Sequence, residues 1–482
     1  DIPSFPPRKV DVNALNTNPN FYRFELGIQE LDEEIADAEE EGRQDEVERL
    51  NDSIAHDEVP GGPQKQPIAL VGGTVHPVSG PAIENGTVLF DAGKISRIGK
   101  SVEVPKGTKI IDVSGKHVFP SLFEAHSQIG LIEIGAVRST DDRREIGSFN
   151  PNVKAQIAVN PDSEVIPVTR SNGVLLALTT PSGSIVSGKS AVIQLDGWTY
   201  EDMTVKSVAA MNIIWPSVKS AIAYSPSGSP ERRGRSSATG SESEGTDSIG
   251  QLKKLFNDAR AYQAAIKAKS KTQKHDLRLE SMIPVINGEL PMMVTANDLQ
   301  QIQSAVAFAN EQKAKLIIFG GYDAPHCADL LKKHQVPVVV SAVYRLPRRR
   351  NEDYDTAFTL PAQLSQLGVR YCISGSDRSE TWNARILPDH AATAVAYGLD
   401  QTEALKAITL YPAEILGVDD QVGSLEKGKD ATLFVSDQSP LEITNQVELA
   451  FVQGRAVDLS DRHKRLYQKY QQKYRQKREL SK

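Results

Sequence analysis

VFPSLFEAHSQIGL, residues 118–131, is an apolar β-type run that ends in a histidine followed two residues on by a glutamine. Seven further runs have the same character: GVLLALTTP (173–181), SAVIQLDGW (190–198), AMNIIWP (210–216), LPMMVTAN (290–297), KLIIFGG (315–321), PVVVSAVY (337–344) and RYCISGSD (370–377). Several are followed by helical patterns such as ANDLQQIQSAVAFANEQ (296–312) and PHCADLLKKHQ (325–335), the alternation that gives a parallel sheet with helices outside it. Eight such units predict an α/β fold, a (β/α)8 TIM barrel over 118–419. Barrel chemistry collects at the C-terminal ends of the strands, so the residues that matter are the last few of each run and those just beyond.

Outward from the barrel, IALVGGTVHPVSG (68–80), GTVLFDAGKISRIGK (86–100) and TKIIDVSGKHVFP (108–120) are short alternating strands punctuated by glycine. GSLEKGKDATLFVSDQSPLE (423–442) and VELAFVQGRAV (447–457) have the same pattern near the other end. The two segments, 67–117 and 420–458, are expected to form one small discontinuous β-sandwich domain. Within the barrel, 224–250 is dominated by Ser and Gly and is expected to be a mobile, low-complexity surface insertion, followed by a helix from about 251 to 280.

Residues 1–60 form an acidic helical N-terminal extension, with apolar Phe24, Ile28, Leu31 and Ile35 at helical spacing. Glu30–Arg49 carries eleven acidic and two basic residues. Residues 459–482 form a basic C-terminal helix, with nine Lys and Arg against Asp461 and Glu479 and with Tyr467, Tyr470 and Tyr474 at helical spacing. A basic helix binds an acidic partner or an anionic surface, and the acidic N-terminal helix is a candidate counterpart within or between subunits.

The whole chain has 482 residues and a net charge of −7, which argues against nucleic acid as a partner. No apolar run reaches the ~18 residues of a spanning helix, so no transmembrane segment is expected. Two cysteines, Cys327 and Cys372, read as buried filler rather than as a disulfide framework. The chain begins at Asp1 without methionine, and an extracytoplasmic location, periplasmic or secreted, is the expectation.

VFPSLFEAHSQIGL resembles the opening barrel strand of amidohydrolases related to imidazolonepropionase and dihydroorotase, in which FPG, two apolar residues, Asp and Ala precede His-x-His. The resemblance continues through IALVGGTVHPVSG and through ALKAIT, PAEILG and GSLEKGKDA within 391–435, so it covers about residues 67–457. It implies a hydrolase of C–N bonds in which one or two divalent ions, held by imidazoles and carboxylates, acidify a water.

Carried over position by position, however, the resemblance implies a degenerate centre. His126 stands where the first histidine belongs, but Gln128 replaces the second, and a neutral amide is a poor ligand for a catalytic transition metal. AMNIIWP supplies no bridging Lys or Glu; Thr295, with Asn297 and Asp298 just beyond, takes the place of the strand-5 histidine, and Gly320 that of the strand-6 histidine. Asp377 alone keeps the family's full role, general base and ligand. His126 and Asp377 do not make the three-ligand site that catalytic zinc needs. No cofactor is therefore implied, unless zinc or another divalent metal binds a rebuilt site in which His390, beside Asp389, leans over the mouth. Otherwise His390 caps or packs its helix.

Arg138, Asp141, Asp142 and Arg170 either border the mouth and bind a polar ligand or pin a long surface connection by salt bridges, and the cluster Arg345, Arg348, Arg349 and Arg350 either holds a carboxylate or phosphate or pairs with Glu352, Asp353 and Asp355. The expectation is a protein with a dismantled metal centre, a binding or structural subunit of a homo-oligomer or of an assembly with an active amidohydrolase paralogue. Gln128, Thr295, Asn297, Arg345 and His390 are its candidate binding residues. The alternative is an active hydrolase with Asp377 as general base and His126 as ligand or acid.

Overall fold

Two arms of the chain meet in one sheet because neither can bury its apolar face alone. The computed structural model describes residues 59–183, 185–216, 242–269, 274–375 and 381–480. The chain forms two compact units, Asp1–Val59 and Pro60–Lys482; the expected N-terminal helix lies outside the described residues.

In the second unit, strands β1 (Ile68–Val75), β2 (Ile83–Asp91), β3 (Lys94–Gly99), β4 (Lys109–Asp112) and β5 (His117–Pro120) share a sheet with β14 (Leu433–Ser436), β15 (Val447–Val452) and β16 (Arg455–Ala456). The join between the arms is the antiparallel pair β5–β14, with Leu433 opposite Pro120 and Ser436 opposite His117. Leu70, Val88, Phe90, Ile95, Val118, Leu433 and Phe451 form its buried core.

The barrel sheet follows in order: β6 (Leu122–Ser127), β7 (Val174–Thr179), β8 (Val186–Gln194), β9 (Thr204–Ile214), β10 (Met292–Ala296), β11 (Leu316–Gly320), β12 (Val338–Ser341) and β13 (Tyr371–Ser374). Each of the eight sequence runs becomes one strand, but VFPSLFEAH is divided at Ser121, its first half in β5 and its second in β6. Side chains alternate between two cores. Phe123, Leu176, Val192, Met293, Ile317 and Phe319 fill the barrel interior, whereas Met292, Val294, Ile318 and Val338 pack outward against helices. Among those helices, Leu299–Gln312 buries Ile302, Ala305, Val306 and Ala309. Both cysteines are free and buried.

One strand departs from the expected βα alternation. β8 runs antiparallel to both β7 and β9, while the other neighbouring strands are parallel. A parallel crossover needs a dozen or more residues, and the intervals 180–185 and 195–203 are too short for one. The start of β8 therefore faces the barrel mouth, and its end faces the opposite rim. A second difference concerns the insertion. The helix expected from about 251 begins at Glu242 and runs to Lys267, followed by a separate helix Leu277–Ile286, so 242–250 is helical; 224–241 lies outside the described residues.

Of the two readings for Arg170, a mouth residue or a salt-bridged connection, the structure gives the second, at that opposite rim. It precedes β7, is buried, and has Nη1 3.4 Å from Asp196 Oδ1. Asp196 also lies 3.3 Å from Nη2 of Arg455, so it ties the barrel to the β domain. Replacing Asp196 by alanine strands two guanidiniums against the fold, and we expect a loss of about 3 kcal/mol in denaturant unfolding, with little change in m-value.

Candidate functional site

At the C-terminal ends of the parallel strands lies a cavity of about 620 Å³ whose wall includes His126, Gln128, Thr295, Asn297, Gly320 and Arg345. The fold thus gathers six positions that the sequence singled out. Each sits at or just past a strand end, where alternation turns it inward. The start of β8 contributes Ser187, brought there by its reversed direction.

His126 stacks on Phe319 with ring centroids 3.6 Å apart and planes 13° from parallel. Burial lowers its pKa to about 3, so the ring is neutral at ordinary pH. Gln128 is buried, and its Oε1 accepts a hydrogen bond from Arg143 Nη1 at 3.2 Å. Arg143 is itself clamped by Asp141, at 2.7 Å from each carboxylate oxygen. The amide in the second histidine position is thereby committed to an arginine.

At position 320 the backbone has φ +98°, and a Cβ there would come within 2.0 Å of Asn297 Oδ1. Asn297 is held in that space by its helix cap, since Gln301 Oε1 accepts from the N–H groups of Asn297 at 3.1 Å and Asp298 at 3.2 Å. The place of a strand-6 ligand is closed twice, by backbone conformation and by a neighbouring amide.

Three arginines, Arg144, Arg345 and Arg348, line the cavity, and no carboxylate does among the described residues. Arg349, beside them, is satisfied within the protein. Its Nη1 and Nη2 each lie 2.8 Å from Asp323, and Asp298 and Glu352 accept from it at 3.0 and 3.2 Å. Those hydrogen bonds hold its pKa well above the ordinary value. Arg348 donates to Asp298 at 2.8 Å.

A catalytic zinc site needs three nitrogen, sulfur or carboxylate ligands with an open fourth position. Here one imidazole faces a committed amide, a hydroxyl and a glycine. No group of three or more His, Cys, Asp or Glu side chains converges among the described residues, and the donors present do not fit a divalent ion. Asp377 lies outside the described residues. His390 does not line the cavity. It is buried on helix Leu387–Ala396, where its Nδ1 accepts from the Val343 N–H at 3.1 Å, a packing role that leaves it neutral.

Glu124 was not singled out by the sequence, although a carboxylate inside an apolar run is a signal. It is fully buried and spans the seam between β6 and β13, which share no ladder among the described residues. Its carboxyl meets Ser374 Oγ and, at 2.9 Å, the Gly375 N–H. Burial raises its pKa to about 7 despite these hydrogen bonds. Ser374 Oγ donates to Glu124 Oε1, which also accepts from the His126 N–H at 3.2 Å, and the same hydroxyl lies 3.2 Å from the His126 carbonyl.

Barrel, divided β domain and a mouth cavity carrying a histidine at the end of the first barrel strand define a class of architecture, the amidohydrolase-like barrels. The amidohydrolase family model matches residues 257–457. An amidohydrolase from Thermotoga maritima MSB8 superposes with a TM-score of 0.69 at 25% identity, covering 81% of this chain and 99% of that one. A second solved amidohydrolase has a TM-score of 0.50 at 16% identity over 82% of this chain and 99% of its own, a likeness of fold alone. Amidohydrolase tasK of Hapsidospora irregularis is 22% identical over 403 residues, 77% of this chain but 40% of that protein. The chain therefore spans well under half the length of the curated relative it matches. The family match over 257–457 and the superposition together give the chain an amidohydrolase-superfamily fold.

Two predictions follow from this geometry. As pH rises from about 4.5 to about 7, the unfolded chain has already released the Glu124 proton that the native state still holds, so stability falls across that window and is level above it. Relative to Glu124→Gln, the wild type should lose up to about 3 kcal/mol over that range in urea titrations, and the opposing titration of His126 cancels in the difference. Gly320→Ala should destabilise by about 2 kcal/mol or more, and adding Asn297→Ala should recover only the part due to the clash, as read by thermal melting.

Proposed function

We propose that this protein is an amidohydrolase-superfamily member with a dismantled metal centre, working as a ligand-binding subunit rather than as a metal-dependent hydrolase. The observation that carries this reading is the cavity wall, with three arginines and no carboxylate among the described residues. Such a wall repels a dication and attracts an anion. The ligand positions support it. Gln128 is engaged by Arg143, and Asn297 occupies the space a side chain at 320 would need.

A subunit of this kind works in an assembly with a second copy or with a catalytically complete relative. The basic helix Arg462–Leu480, with Tyr467, Tyr470 and Tyr474 exposed, offers a surface for that association. Among the described residues no helix is long and apolar enough to cross a membrane.

Elemental analysis of the full chain, purified without chelator and then dialysed against excess zinc, should find well under one equivalent of tightly held metal. Stoichiometric zinc or manganese retained through gel filtration, and lost on His126→Ala, would overturn the reading.

A further inference from the structure

Three buried polar groups in the cavity wall lack partners, and together they describe a ligand. The Arg345 side chain is only 8% exposed, yet its Nε and Nη1 find no hydrogen-bond acceptor among the described residues. The carboxylate of Glu352 stands 3.9 Å from Nη1, beyond hydrogen-bonding distance, and is already occupied by the Arg348 N–H at 2.6 Å and by Arg349. The guanidinium is nevertheless held in place. It lies 3.9 Å from the Tyr322 ring centroid, and the Tyr322 hydroxyl is anchored 2.9 Å from Ser341 Oγ. Its two neighbours behave differently, since Arg348 and Arg349 both find carboxylates inside the protein. Stacking and the Glu352 charge at 3.9 Å fix Arg345, but its Nε and Nη1 donate to nothing among the described residues.

A buried cation with open donors carries a desolvation penalty that an anionic acceptor removes. The other two groups are neutral. Thr180 Oγ1 and Asn297 Oδ1 are buried without partners in the same wall. An amide oxygen calls for an N–H or O–H, and a hydroxyl answers either a donor or an acceptor. A secondary amide on the ligand offers both at once. The cavity volume, about 620 Å³, suits a small organic molecule, and Met293 with the His126–Phe319 stack gives it an apolar side.

We propose that the cavity binds a small carboxylate that also carries a neutral hydrogen-bonding group, its carboxyl taken by Arg345 and its neutral group read by Asn297 and Thr180. The proposal rests on the binding reading above and deepens it by naming the ligand class. Charge-assisted pairing between guanidinium and carboxylate supplies the selectivity for an acid over its neutral isostere.

The test uses the full chain with N-acetyl-L-leucine, its uncharged analogue N-acetyl-L-leucinamide, and sodium acetate, compared by calorimetry and thermal shift at constant ionic strength. The acid is expected to bind and to raise the melting temperature, and the amide to bind at least about tenfold more weakly. Arg345→Met should abolish the acid's effect, read against that variant's own ligand-free melting temperature. Arg370→Met, which alters an arginine paired with Glu414 away from this cavity, should retain the effect. Equal binding of acid and amide, binding that persists in Arg345→Met, acetate as effective as N-acetyl-L-leucine, or no response to any of the three would each overturn the proposal. The acid-against-amide comparison needs only the wild type, so a poorly folding variant does not blunt it. Zinc content measured on the same preparations separates the two ideas: retained metal overturns the dismantled centre, and the acid-against-amide ratio alone decides the ligand class.

Discussion

Among the described residues the first and last barrel strands share no ladder, and one carboxyl group spans the seam between them. Glu124 lies on β6 and reaches Ser374 and Gly375 at the end of β13, so the closure that brings His126 beside Phe319 depends on a side chain rather than on backbone rungs. Unpaired backbone groups inside a protein are costly, which is why the Gly375 N–H finds an acceptor there. Burying a carboxyl to provide it is costly too, and the protein meets that cost by favouring the protonated form. The position of every mouth residue relative to the others follows from this seam.

On that frame the side chains at the strand ends are held by partners within the protein. Gln128 is locked to Arg143 and Asp141, and Asn297 is fixed by a capping box in the volume that position 320 leaves free. The reversed β8 adds its own start to the rim. The result is a cavity wall with three arginines and no carboxylate among the described residues, although the chain as a whole carries −7; Asp298, Asp323 and Glu352 pair with Arg348 and Arg349 from outside the wall.

Much of the architecture was legible in the sequence. Strands covered on both faces are written as nearly continuous apolar runs, and all eight barrel runs are strands. The direction of β8 was missed, although the short intervals on either side of it hold the information, because eight runs invite a uniform alternation. The two readings of Arg170 could not be decided from the sequence for a related reason, since distance along the chain does not say which end of a barrel a loop returns to. Glu124 was passed over because its carboxylate has meaning only once β13 lies beside it.

The sequence by itself determined which side chains are available at or just past the strand ends: one histidine, a glutamine, a threonine, an asparagine and a glycine. Residue identity is local, and a register of alternating apolar positions is enough to place each at its strand end. Only the tertiary structure decided what those side chains do. Whether Gln128 is free or held, whether the space above Gly320 is open or filled, and which of four consecutive-region arginines remains unpaired are questions of partners distant in the chain, and partners are set by how strands and loops close around a common core.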